Sequence, residues 1–435
     1  MRINPSRNNK MPLSRNALDR SSRRRVLILS SSGGGAHLVA AEAIRKRLAD
    51  DPSVEVVDTI DVLLNWTGPM GRFGVWAWNG AMRSGNSRRM NLTVRLQAMG
   101  ELVFHIPILF HAVRALRRLR VDEVFDCQVM GTRSLLTAAR RVHRQEGRNV
   151  RITKVLTEPA NEALSQFFDP IRRLPARLRR HLHIWASPPL LKNGETAEMF
   201  WRKTCKIDRS QVDESSGFPV RAEFYSPPHS ESLHIRCAGN TLQELTTVPT
   251  TPSAPDNWET ISPANRVVTI LMGSQGTWQF TMESVRSILA RWNDPDIVVF
   301  VYARTPHQRS QLADLVAGSG SQTRIVAMGF VDAATVSALY HRSDATVTRS
   351  GGMTTMELLT VGRAPAFICT GEHRESRYHG MVRHEDGNYR YLRHFHSVGA
   401  WVFEPKELAE RLTPFLVGRG RRDPVSAPAV VREAR

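Results

Sequence analysis

Thr348-Arg-Ser-Gly-Gly-Met-Thr-Thr-Met-Glu-Leu-Leu-Thr-Val-Gly-Arg-Ala-Pro365 is the stretch on which the reading of this 435-residue chain turns. Ahead of it, Ala345-Thr-Val347 has the composition of a strand end, and Ser350-Gly-Gly352 makes a turn that small residues permit. A helix starting there puts Thr354 and Thr355 in its first turn, beside backbone N–H groups with no intrahelical partner and the positive end of the helix dipole. That arrangement suits phosphate. Glu357 follows within one turn, and an ionised carboxylate, which only accepts hydrogen bonds, can take both hydroxyls of a ribose whose phosphates lie against the turn. Taken alone, the stretch is equally a surface helix capped by Ser-Gly-Gly, so the remainder of the chain has to decide.

Outward from this stretch the pattern is α/β. Val267-Val-Thr-Ile-Leu271 reads as a strand, Gly273-Ser-Gln-Gly276 as a turn, and Met282 to Trp292 as a helix; Ile297–Tyr302 and Arg324–Met328 follow as strands and Thr335–Tyr340 as a helix. The first half shows the same alternation. Val26-Leu-Ile-Leu29 passes into Ser30-Ser-Ser-Gly-Gly-Gly-Ala-His37 and then into a helix with Val39, Ala40, Ala43, Ile44 and Leu48 on one face. Val54–Val57, Val121–Phe125, Ile152–Leu156 and Leu182–Trp185 supply further strands. Alternating strands and helices predict parallel sheets, and two doubly wound Rossmann-like domains would bring their glycine turns to one cleft. The expected boundaries are a disordered basic tail over 1–25, a first domain over 26–225, a Pro/Ser/Thr-rich linker or insertion over 226–264, a second domain over 265–405 and a helix with a basic tail over 406–435.

Two residues of the first half are candidate bases. His37 falls in the first turn of a helix on the ligand side of the sheet, where a neutral imidazole could take a proton from a hydroxyl; Gly33, Gly34 and Gly35 before it leave room for an acceptor to approach the backbone. Glu158, in Thr157-Glu-Pro-Ala160, lies just past another strand end and is the rival. Asp294-Pro-Asp296 has a manganese-binding spelling, but it lies ahead of a strand, at the face opposite the cleft, and reads as a turn. No metal site is expected.

The formal charge of +19 calls for an anionic partner. Arg114-Ala-Leu-Arg-Arg-Leu-Arg120 continues directly from the apolar run Leu102–Val113, and an apolar patch beside clustered arginines fits an anionic membrane surface. A solvated helix flank is the plainer alternative. Nucleic acid is the weaker partner, since the arginine runs lack interleaved aromatics. The Leu102–Val113 run is too short to span a bilayer, the first 25 residues lack the apolar run of a signal peptide, and Cys127, Cys205, Cys237 and Cys369 show no paired or metal-ligand spacing. A cytoplasmic protein resting on the membrane surface is expected.

Together the motifs resemble a family of glycosyltransferases that includes plant monogalactosyldiacylglycerol synthase, bacterial processive diacylglycerol glucosyltransferases and, more distantly, the peptidoglycan lipid-intermediate N-acetylglucosaminyltransferase. Ser31-Ser-Gly-Gly-Gly-Ala-His37, Gly217-Phe-Pro-Val-Arg-Ala-Glu-Phe224, Gly273-Ser-Gln-Gly276, Gly329-Phe-Val331, Arg349–Glu357 and Glu385-Asp-Gly-Asn388 follow in family order, covering most of 26–404. Ser31 or Ser32 stands where galactolipid synthases carry an Asp, Ala36 intrudes before the His, and the Thr370–His384 loop is unusually long.

The resemblance implies the two-domain GT-B fold and transfer of a hexose or N-acetylhexosamine from a UDP-sugar to a lipid or lipid-linked hydroxyl. It implies inversion without a metal and no cofactor beyond the UDP-sugar co-substrate. By the same resemblance Gly273, Gln275 and Gly276 open the donor site and Val331 meets the uracil. Glu357 takes the ribose; Ser350, Gly351, Gly352, Thr354 and Thr355 the diphosphate; Glu385, Gly387 and Asn388 the sugar. A transferase with a soluble or protein acceptor, or a non-catalytic binding protein keeping the fold, are the competing functions.

Overall fold

The computed structural model describes residues 23–83, 87–215, 217–226, 233–236, 243–245, 258–272, 278–369, 382–396, 398–402 and 404–417. Short apolar strands covered on both faces by helices build two largely parallel sheets. The first sheet contains β1 (Arg24–Ser30), β2 (Val54–Asp61), β3 (Glu123–Asp126), β4 (Arg151–Val155), β5 (Leu182–Trp185) and β6 (Val212–Asp213), in the order β2-β1-β3-β4-β5-β6 and parallel throughout. Val26 to Leu29 of β1 are fully buried, which is why this strand reads as an unbroken apolar run.

The second sheet contains β7 (Leu233–Arg236), β8 (Gln243–Leu245), β9 (Trp258–Ile261), β10 (Arg266–Leu271), β11 (Ile297–Tyr302), β12 (Arg324–Met328), β13 (Ala345–Thr348), β14 (Ala366–Cys369) and β15 (Val398–Val402). Its order is β15-β14-β13-β10-β11-β12-β8-β7-β9, parallel through β8, with β7 antiparallel to both β8 and β9. Three short strands at one edge of this sheet thus come from the 226–264 stretch.

Strand order reverses between β1 and β3 in one sheet and between β10 and β13 in the other, so each sheet opens a crevice at its strand C-termini. The glycine turn after β1 and the Ser350–Gly352 turn after β13 stand at these two crevices. An apolar cluster joins the domains: Val26, Ile28, Phe125 and Trp185 of the first belong to one buried group with Val336, Tyr340, Met353 and Met356 of the second. The helix Arg383–Phe395 reinforces the joint, Tyr391 Oη donating to the Pro188 carbonyl at 3.0 Å.

Between β2 and β3 the helices Gly68–Arg83, Ser87–Val103 and His105–Arg118 leave large apolar side chains in solvent. Met70, Phe73, Trp76, Leu102, Ile106 and Phe110 are each more than three-fifths exposed. Among the described residues no helix is long and apolar enough to cross a membrane.

Candidate active site

A cavity of about 510 Å³ lies between the domains, lined from one side by Gly33 to Val39, Trp78 and Glu158 and from the other by Val331, Gly351 to Thr354, Glu357, His384 and Glu385. His37 reaches it because β1 ends at Ser30 and the next helix, Gly35–Ala49, starts after a single turn. Its Nδ1 is 2.7 Å from the Cys127 carbonyl and 3.0 Å from Thr157 Oγ1. A carbonyl oxygen only accepts, so Nδ1 carries the proton and Nε2 keeps a lone pair. Burial depresses the imidazole pKa to about 4, and Lys154, ion-paired with Asp126 at 2.9 Å behind it, pushes the same way. His37 is therefore neutral at physiological pH.

Glu158 is held differently. Its Oε2 accepts from Asn388 Nδ2 and the carboxyl also accepts from the Gly352 N–H, both in the opposite domain. Asn388 Nδ2 donates in addition to the Ser350 carbonyl at 2.9 Å. Burial raises the Glu158 pKa to about 8 and the nearby Glu385 adds to the rise, so the carboxyl is protonated at neutral pH. It occupies the first N–H of the helix Gly352–Val361, the same helix end that the sequence offers to a diphosphate.

The second-domain residues sort into two groups. Val331, Gly351, Gly352, Thr354, Glu357 and Glu385 line the cavity with His37, Glu158, Gly33, Gly34 and Gly35. Ser350, Thr355, Gly387 and Asn388 are not part of its lining: Ser350 Oγ donates to the Glu385 carbonyl at 2.8 Å, Thr355 is buried in the helix, and a Cβ on Gly387 would lie 2.1 Å from Asn161 Oδ1 across the domain boundary. Gly273, Gln275 and Gly276 lie outside the described residues. Asp294 forms a turn before β11 and pairs with Arg266, away from the cavity. Among the described residues no group of three or more His, Cys, Asp or Glu is placed to hold a metal ion.

Two arginines and a histidine beside the cavity were not singled out from sequence. Arg221 Nε and Nη2 both reach Glu357 Oε1, at 2.8 and 2.6 Å, and burial still lifts the Glu357 pKa to about 7 against the pull of that guanidinium. Arg349 Nη2 pairs with Glu385 Oε2 at 2.6 Å. His384 is buried beside them, its pKa lowered by desolvation. Arg221 and Arg349 sit inside motifs already quoted, but nothing local marks which carboxylate each one meets. Phe330, next to Val331, is 91% exposed at the rim.

No family model matches the sequence, and no curated protein matches it. Among solved structures, the spinosyn rhamnosyltransferase SpnG superimposes with a TM-score of 0.52 at 14% identity, over 94% of this chain and 96% of the other. MurG of Acinetobacter baumannii aligns at 0.47 and 15% over 90% of each chain. A Listeria monocytogenes protein assigned as a UDP-N-acetylglucosamine 2-epimerase aligns at 0.47 and 12%, over 91% of this chain and 88% of its own. The likeness to SpnG is one of fold over nearly the whole length. The chain has the two-domain α/β architecture of GT-B glycosyltransferases, with two Rossmann-like domains around a cleft.

Proposed function

We propose that the protein is an inverting, metal-independent glycosyltransferase that moves a hexose or N-acetylhexosamine from a UDP-sugar to a lipid or lipid-linked hydroxyl at an anionic membrane surface. This is the chemistry of the galactolipid and diacylglycerol glucosyltransferases that its motifs resemble. The observation that carries the reading is the meeting, in one cavity, of a neutral histidine with an open Nε2 and a helix N-terminus followed by Glu357.

In this reading the donor lies along the second-domain wall, its base at Val331, its ribose at Glu357 and its diphosphate near the first turn of the helix Gly352–Val361. The acceptor hydroxyl gives its proton to His37 Nε2 while its oxygen bonds to the anomeric carbon. The bond from that carbon to the diphosphate breaks on the opposite side, which inverts the centre, and UDP departs with the electron pair. Backbone N–H groups and the helix dipole stabilise the charge on the leaving diphosphate. The anionic donor beside His37 offsets the burial that depresses its pKa, strengthening the base when the substrate is bound. Glu158, protonated and tied to Asn388 and Gly352, is a poor base in this arrangement and serves as a clamp between the domains.

Support for a lipid surface comes from the exposed Ile106 and Phe110 on the same helix as the exposed Arg114, Arg117 and Arg118, with Phe73 and Trp76 exposed on the helix Gly68–Arg83, since apolar burial and attraction to anionic headgroups add. The test is UDP release with a panel of UDP-sugars, with and without phosphatidylglycerol vesicles carrying dioleoylglycerol. Release stimulated by the lipid acceptor supports the proposal; release indifferent to lipid points to a soluble or protein acceptor. No release with any donor leaves a binding protein.

A further inference from the structure

One polar atom on the first-domain wall has no partner among the described residues. Trp78 lines the cavity and is only 9% exposed, yet its indole Nε1 is buried without a hydrogen bond. An indole N–H can only donate, and leaving a buried donor unpaired costs the hydration it has lost. Its placement is built into the fold. Trp78 packs with Ala81 of its own helix and Val382 of the second domain. Two positions earlier on that helix, Trp76 faces solvent at 68% exposure, with Phe73 at 66% beside it. A single helix therefore carries both outer apolar side chains and a buried donor beside the glycine loop of the cavity.

The glycine loop defines what that donor meets. From the position a Cβ on Gly34 would occupy, Trp78 Nε1 and His37 Cδ2, the ring atom bonded to Nε2, are each 3.8 Å away. No side chain fills the point between them, because residue 34 is a glycine with φ +130°. A ligand packed over the Gly34 backbone, just beyond this point, sits between a proton acceptor and a proton donor.

We propose that Trp78 Nε1 donates a hydrogen bond to an acceptor oxygen on the carbon next to the hydroxyl that His37 deprotonates. Trp78 is then a specificity-determining residue for acceptors with oxygens on neighbouring carbons. Both the ester-bearing glycerol of a diacylglycerol and the vicinal diol of a sugar headgroup have that chemistry. The proposal rests on the glycosyltransferase reading above.

Wild type and Trp78→Phe, which keeps a ring and loses the N–H, are compared with the UDP-sugar that gives the fastest release. The vesicles carry dioleoylglycerol in one arm and a monoglucosyl-diacylglycerol in the other. The expected result is a rise of about 10-fold in acceptor KM, the weight of an ordinary hydrogen bond, with kcat and calorimetric UDP affinity little changed. The arm that shows the rise identifies the source of the oxygen. Unchanged acceptor KM in both arms, with wild type active, overturns the role of Trp78 and leaves the activity standing. Loss of UDP affinity in step with kcat reveals a structural role and also overturns it. If wild type transfers to neither lipid, the lipid-hydroxyl reading falls and takes this inference with it.

Discussion

On the first-domain wall of the cleft, a Cβ at Gly34 would come no nearer than 3.8 Å to the side chains around it; on the facing wall, a Cβ at Gly352 would lie 2.3 Å from Glu158 Oε2 and 2.4 Å from the Thr157 carbonyl. Both glycines belong to turns that a sequence reader would give to ligands. Gly34 leaves open space beside His37, whereas Gly352 allows the other domain to press against the start of its helix. Gly387 repeats the second case against Asn161 and Ala163. Glycine spacing on the second wall therefore reports a joint between domains at least as much as a cradle for phosphate. The two carboxylates there are also engaged, Glu357 by Arg221 and Glu385 by Arg349, while His37 Nε2 has no partner among the described residues.

The most severe way to break this contrast is at His37. His37→Ala should lower turnover about 10²–10⁴-fold while UDP affinity measured by calorimetry stays close to wild type. A near-normal rate would move the base elsewhere and leave the open wall without its chemistry. Next in size, Glu357→Ala should weaken UDP binding by about 1.5–3 kcal/mol, the range for hydrogen bonds to a charged group. Unchanged affinity would reduce Glu357 to a partner of Arg221 and make the second wall wholly a joint.

Adjacent glycines give a sharper and smaller test. Gly352→Ala forces a methyl group onto Glu158 and the Thr157 carbonyl and should destabilise the protein by about 1–3 kcal/mol in urea unfolding. Gly351→Ala, with nothing within 4 Å of its Cβ and φ −66°, should leave unfolding almost unchanged. Equal behaviour of the two variants would show that the domains do not close at Gly352 in solution.

A further test concerns pH. The folded protein holds the Glu158 proton up to about pH 8, whereas the ordinary carboxyl value is 4.5. Between those values the unfolded chain releases a proton that the folded chain keeps, so this group lowers stability as pH rises through the interval. Glu158→Gln has no proton to release. The Tm of wild type should therefore fall relative to that variant as pH rises from the lower value to the upper, and parallel curves would show that Glu158 is not buried against Gly352 and Asn388.

The strands were legible because each is an apolar run bounded by Gly, Pro or polar residues: Val26–Leu29 and Ile297–Tyr302 fall inside β1 and β11, and Ile152–Leu156 overruns the end of β4 by one residue. The helix start at Gly352 and the positions of Thr354, Thr355 and Glu357 in its first turns were equally legible, since helix geometry follows from local spacing. The 226–264 stretch read as linker because its short strands are separated by Pro-, Ser- and Thr-rich sequence; β7 to β9 are strands only by pairing at the sheet edge. The partners of the charged residues were illegible for a related reason. Arg221 meets Glu357 and Glu158 meets Asn388 across 136 and 230 residues of chain, and no local pattern encodes a contact of that separation.

The amino-acid sequence by itself determined the α/β alternation, the two glycine turns at strand ends and the candidate histidine, because periodicity and turn chemistry act over a few neighbouring residues. Only the tertiary structure decided which carboxyl bridges the domains, which glycine faces the open cavity and which faces the opposite domain, and that an indole N–H beside His37 has no partner among the described residues. Those outcomes depend on desolvation and on what the other domain brings within a few ångströms, and both exist only once the domains have closed around the cleft.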